Sequence, residues 1–70
     1  MERQPVDSSN IHSVGYDPST GTLEVEFHGG SVYEYSDVPG AVYQALMSAS
    51  SKGSYLNRQV KPRYRFRQLR

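Results

Sequence analysis

Between Lys52 and Arg70 the chain carries seven cations and no carboxylate: Lys52, Arg58, Lys61, Arg63, Arg65, Arg67 and Arg70. Tyr55, Tyr64 and Phe66 are interleaved with them. Cations neutralise phosphates, and each contact releases counterions. Exposed rings stack on unpaired bases at ~1–3 kcal/mol per base, and a planar guanidinium suits phosphate better than an ammonium does. These residue types support binding of a polyanion. The candidate nucleic-acid residues are Lys52, Arg58, Lys61, Arg63, Arg65, Arg67, Tyr55 and Tyr64, the cations on phosphates and the two tyrosines supporting the surface or stacking. A second reading keeps the same pattern inside the molecule. Residues 1–51 hold seven acids and one base, Arg3, which gives −6, against +7 for residues 52–70 and +1 for the whole. A tail folded over the body would then neutralise it. In the stretch RYRFRQL, Tyr64 and Phe66 would be the core side of a strand and the arginines its wet side. No RRM, KH or dsRBD signature is present, so the fold of an RNA target cannot be read.

Other chemistry is sparse. Tyr33 and Tyr35 form a Tyr-x-Tyr pair that is either a stacking platform or core. His12 and His28 lack a carboxylate or cysteine at ligand spacing, so they make a poor metal site. No metal is expected. The run SASSKGS at 48–54 lacks the Gly-Lys-Ser order of a phosphate loop and follows a helix rather than a strand, so a helix end explains it better. Gly53-Ser54 still opens a second helix, whose first amides would accept one phosphate. Serines are plentiful but have no His-Asp partner pattern, and no catalytic residue, cofactor or small-molecule substrate is expected.

These residues need elements to place them. Residues 11–17 read as a first strand, and Asp17-Pro18-Ser19-Thr20-Gly21 as a turn. In TLEVEFH at 22–28, Leu23, Val25 and Phe27 alternate strictly with Glu24, Glu26 and His28, which marks a second strand. Gly29-Gly30 turns the chain, and residues 31–36 form a third strand. A helix follows from Asp37-Val38-Pro39-Gly40, with Val38, Val42, Leu46 and Ala49 at helical spacing. Lys52 suits its last turn and Gly53 a left-handed cap. Ser54 caps a short second helix over about Tyr55–Lys61, ended near Pro62.

Register decides the role of the two tyrosines. A four-residue first turn sets Tyr16 opposite Leu23 and Val14 opposite Val25. In the second hairpin, pairing Phe27 with Tyr33 and Val25 with Tyr35 buries both tyrosines. A one-residue slip exposes them. The buried register sets Glu26 opposite Glu34, which costs a few tenths of a kcal/mol. Burying two rings is worth ~2 kcal/mol or more each. The buried register is therefore expected, with Glu24, Glu26 and Glu34 on an acidic outer face that the arginine tail can cross. His28 would point outward and His12 would sit at the rim of the inner face.

The chain has 70 residues, enough for one domain and a small core. It has no cysteine, which excludes disulfides, thiolate zinc sites and cysteine nucleophiles. Its mean hydropathy is −0.70, with no apolar run of membrane-spanning length and no apolar stretch behind Met1-Glu2-Arg3-Gln4-Pro5 to make a secretory signal. A soluble protein of a reducing compartment is expected, without a membrane partner. The expected fold is α+β: a three-stranded antiparallel β-meander, one packing helix, a short second helix and a basic C-terminal tail. Residues 1–9 are expected to be a flexible arm, 10–66 the domain and 67–70 the end of the tail.

The ordered set Ser8-Ser9-x-Ile11, Val14-Gly15-Tyr16-Asp17, Leu23-Glu24-Val25-Glu26-Phe27-x-x-Gly30, Val32-Tyr33-x-Tyr35, Val38-Pro39-x-x-Val42-Tyr43-x-x-Leu46 and Ala49-x-Ser51-x-Gly53-x-Tyr55-x-Asn57 resembles the KTSC domain. The resemblance spans about residues 6–64. It implies a small bacterial cytoplasmic domain, of a kind found alone or appended to the C-terminus of some lysyl-tRNA synthetases. The resemblance implies a domain of unknown function with no catalytic residues, and the synthetase context suggests RNA binding. Leu56 stands where the family usually has a phenylalanine before Asn57, which favours a packing role there. The function expected from residues and resemblance together is weak electrostatic RNA binding by the basic segment. The alternative is a protein-interaction module that docks a partner through Tyr43 and Met47 or through a sheet edge at 11–17.

Overall fold

The first turn closes on Asp17. Its carboxylate accepts hydrogen bonds from the Ser19 backbone N–H at 3.0 Å and the Ser19 hydroxyl at 2.6 Å. Its carbonyl accepts from the Gly21 N–H at 2.8 Å. Gly21 has φ +72°, a conformation that glycine adopts without a Cβ penalty. The turn joins β2 (Ile11–Asp17) to β3 (Thr22–Phe27) in the register the sequence predicts, Tyr16 opposite Leu23 and Val14 opposite Val25.

A computed structural model describes residues 1–70. The chain is an α+β fold with five antiparallel strands in the order β1-β2-β3-β4-β5, not the expected three. The added strands are the two ends of the chain. Where a flexible arm is expected, β1 (Gln4–Pro5) pairs with β2, setting Gln4 opposite Val14 and Pro5 opposite Ser13. Where the basic tail is expected, β5 (Phe66–Gln68) pairs with β4 (Val32–Tyr35). The ladder continues to the last residue, where the Arg70 carbonyl accepts from the Val32 N–H at 2.9 Å. Gln4-Pro5 is too short to show a strand period by itself, whereas β5 falls within the alternating stretch RYRFRQL, one of whose readings is a strand.

The second hairpin buries the expected face in a tighter register. His28, Gly29 and Gly30 form the loop, closed by a bond from the Phe27 N–H to the Ser31 carbonyl at 2.9 Å, and Gly30 has φ +97°. Val25 lies opposite Tyr33 and Leu23 opposite Tyr35, two residues from the predicted pairs. A two-residue shift leaves every side chain on its face. The facing glutamates become Glu24 and Glu34 instead of Glu26 and Glu34.

Helix α1 (Gly40–Ser48) starts after Pro39 and buries Leu46. Gly53 is no left-handed cap. It lies inside α2 (Lys52–Tyr55), capped by the Ser51 hydroxyl, which accepts from the Ser54 N–H. A Cβ on Gly53 would stand 3.1 Å from Asn10 Nδ2, a tight approach that the glycine relieves. The chain then widens into a π-helical turn, Leu56–Val60. The core joins Ile11, Val14, Leu23, Val25, Tyr35, Val38, Leu46, Leu56 and Val60. No helix is long and apolar enough to cross a membrane.

Candidate nucleic-acid interface

The outer face of the sheet carries Glu24, Glu26 and Glu34, and cations from both chain ends reach it. Arg3 pairs with Glu24, and its Nε lies 3.6 Å from Glu26. Arg67 Nη2 lies 3.1 Å from Glu34 Oε1, and Arg70 Nη2 lies 3.1 Å from Glu26 Oε2. The facing carboxylates Glu24 and Glu34 therefore each have a guanidinium, which offsets their repulsion. Ser13 donates to Glu26 at 2.9 Å. That bond is the largest influence and outweighs the opposing desolvation; with the charges of His12, Arg3 and Arg70 it holds the Glu26 carboxyl below its ordinary value.

This face divides the predicted cations. Arg67 is already paired within the molecule, and so is Arg70, so the neutralising reading holds for the end of the tail. Arg58, Lys61, Arg63 and Arg65 are exposed and have no carboxylate within ion-pair distance. Lys52 also lacks a carboxylate, but its ammonium donates to the Ala49 carbonyl at 3.0 Å and closes the end of α1. Tyr55 and Tyr64 are half-buried and packed against the core. Arg58 stands on the π-helical turn, and Lys61, Arg63 and Arg65 follow on the loop that carries the chain from that turn to β5.

The structure answers the remaining candidates. Tyr35 is 1% exposed and is core; burial pushes its hydroxyl up to about 12. Tyr33 is half-buried. His12 is not on the opposite face from His28. A bulge between Ile11 and Ser13 turns it outward, its ring meets His28 edge-on at 5.6 Å, and its Nδ1 lies 3.4 Å from Glu26. His28 Nε2 donates to the Ser8 carbonyl at 2.8 Å. No group of three or more His, Cys, Asp and Glu side chains is placed to hold a metal ion. Tyr43 stacks on Tyr16 at 4.6 Å, and Tyr16 donates to the Val38 carbonyl at 2.6 Å. β1 pairs with the β2 edge at Ser13 and Val14.

One feature escaped the sequence. Phe27, Tyr33, Tyr35 and Phe66, with Ser31 and Lys61, line an open groove of about 350 Å³ on the inner face. Phe66 is 57% exposed. The alternation in RYRFRQL did signal that Phe66 faces inward; what it could not show is that the helices stop short of it.

A family model described as the KTSC domain matches residues 7–64. The chain is 47% identical over 62 residues to a protein of Tsukamurella paurometabola, covering 89% of this chain and 92% of that one. It is 43% identical over 63 residues to a lysine–tRNA ligase of Nostoc punctiforme, covering 90% of this chain and 11% of the ligase. The crystal structure of a KTSC domain protein from Yersinia pestis superposes with a TM-score of 0.92 at 41% identity, covering 99% of this chain and 97% of that one.

Proposed function

The chain belongs to the KTSC domain family, and from that premise we propose that it is a non-catalytic cytoplasmic domain that binds RNA weakly, through Arg58, Lys61, Arg63 and Arg65. One observation carries the reading: the molecule pairs Arg3, Arg67 and Arg70 with its own glutamates and leaves those four cations without a carboxylate partner. An evenly self-neutralising chain would leave no such set. The ligase segment that this chain resembles belongs to a protein named for tRNA, which agrees with an RNA partner. Arg67, included in the sequence-derived set, drops to the margin because contact with phosphate would compete with Glu34. Lys52 acts at the end of α1, and Tyr55 and Tyr64 act by packing.

The test is a titration with tRNA and with single-stranded RNA at low and moderate salt. With three to four phosphates neutralised, the logarithm of affinity for a single strand should fall against the logarithm of salt with a slope of about −2 to −3. Absence of binding at low salt, or affinity indifferent to salt, would overturn the proposal.

A further inference from the structure

We infer that the aromatic groove of the inner face holds one unpaired base of a single-stranded RNA; this deepens the RNA-binding reading and rests on it. The walls are aromatic on three sides. Phe27 meets Tyr33 edge-on, with centroids 5.7 Å apart and planes at 89°. Phe66 lies 5.6 Å from Tyr33 and 6.2 Å from Tyr35, tilted by 34° and 45°. Lys61 Nζ stands 5.5 Å from the Phe27 centroid, at the mouth. A volume of about 350 Å³ is at the small end of the roughly 300–1,000 Å³ range of ligand clefts, suited to one ring system and not to an extended ligand.

Charge selects the occupant. No carboxylate lines the groove; the glutamates of the sheet project from its other face. A cationic ligand therefore finds nothing to neutralise it. An anionic strand finds Lys61 in the wall and Arg63 and Arg65 on the loop that joins Lys61 to Phe66. Rings for the base and cations for the flanking phosphates are the two components of single-strand recognition. A large aromatic ring of a small domain is normally covered, and Phe66 is more than half exposed in a groove that Lys61 also lines.

The experiment is an NMR titration of the full chain at low salt with a nine-nucleotide oligoadenylate and with an abasic strand of the same length. The two probes share phosphates and differ in bases. The inference predicts that the ordinary strand binds roughly tenfold tighter or more and shifts the ring resonances of Phe27, Tyr33 and Phe66. Phe66→Leu keeps an apolar side chain in β5 and should reduce binding to the level of the abasic strand, whereas Arg63→Ala should weaken both probes. Should Phe66→Leu not fold, the comparison of the two strands on the unaltered chain still decides. Equal affinity for both strands, with the ring resonances unmoved, overturns the base site and leaves electrostatic RNA binding standing. Failure of both strands to bind overturns the two together.

Discussion

Glu26 is the residue on which the outer face converges: Ser13, His12, Arg3 and Arg70 all reach its carboxylate. Because its carboxyl titrates below the ordinary value in the folded chain, its contribution to stability is present above the unfolded-state value near 4.5 and is lost as pH falls through the folded one. Urea unfolding at stepped pH should show a decline below about pH 4.5, and Glu26→Gln should flatten that decline. Tyr35 gives the opposite limit. Its hydroxyl is raised from 10.0 to about 12, so stability is intact below pH 10 and is lost as pH rises from 10 through 12. Tyr35→Phe should remove that alkaline loss in the same measurement. At Gly21, the positive φ and the Val38 carbonyl 3.3 Å from a would-be Cβ predict that Gly21→Ala costs about 1–2 kcal/mol by chemical denaturation.

Among the elements, β5 does the most varied work. It pairs with β4, supplies the guanidinium for Glu34 and presents Phe66 to the groove. The Arg67–Glu34 contact is exposed and worth about 0–1 kcal/mol, so Arg67→Ala alone should scarcely move the midpoint of unfolding. Removing residues 65–70 should lower it markedly, since Val32 and Tyr35 would lose their neighbour along a whole edge; differential scanning calorimetry on the two variants checks both outcomes. The central strands were legible because Leu23, Val25 and Phe27 alternate with Glu24, Glu26 and His28, and the first turn because Asp17, Pro18 and Gly21 each have a conformational reason to be there. The faces of Tyr33 and Tyr35 were legible from burial energy alone. Their exact partners were not, because registers two residues apart bury the same side chains and differ only in which glutamates face each other. Strand β1 was hidden for a different reason: Gln4-Pro5 has no period to read, and its pairing follows from an edge that exists only once the meander has formed. The alternation in RYRFRQL admitted a strand at β5, but only the edge of β4 decides it against a free tail. The packing of Gly53 involves Asn10, more than forty residues away in the chain.

At the scale of the whole molecule, charge is sorted by position. The sheet's outer face is acidic and is neutralised by arginines from the first and last residues. The loop leading out of the helices is basic and has no counter-charge. The sequence showed the −6 and +7 halves but could not divide the second into paired and free cations, because that division depends on where β5 lies. A charge-matched comparison tests it most directly: single-stranded RNA titrated at low salt against Arg63→Ala/Arg65→Ala and against Arg67→Ala/Arg70→Ala, each of which removes two positive charges. The account predicts that the first pair weakens binding at least fivefold and flattens its salt dependence by about one to two units of slope, while the second leaves both nearly unchanged. Equal losses from the two pairs, or binding that survives the first and fails with the second, would contradict it.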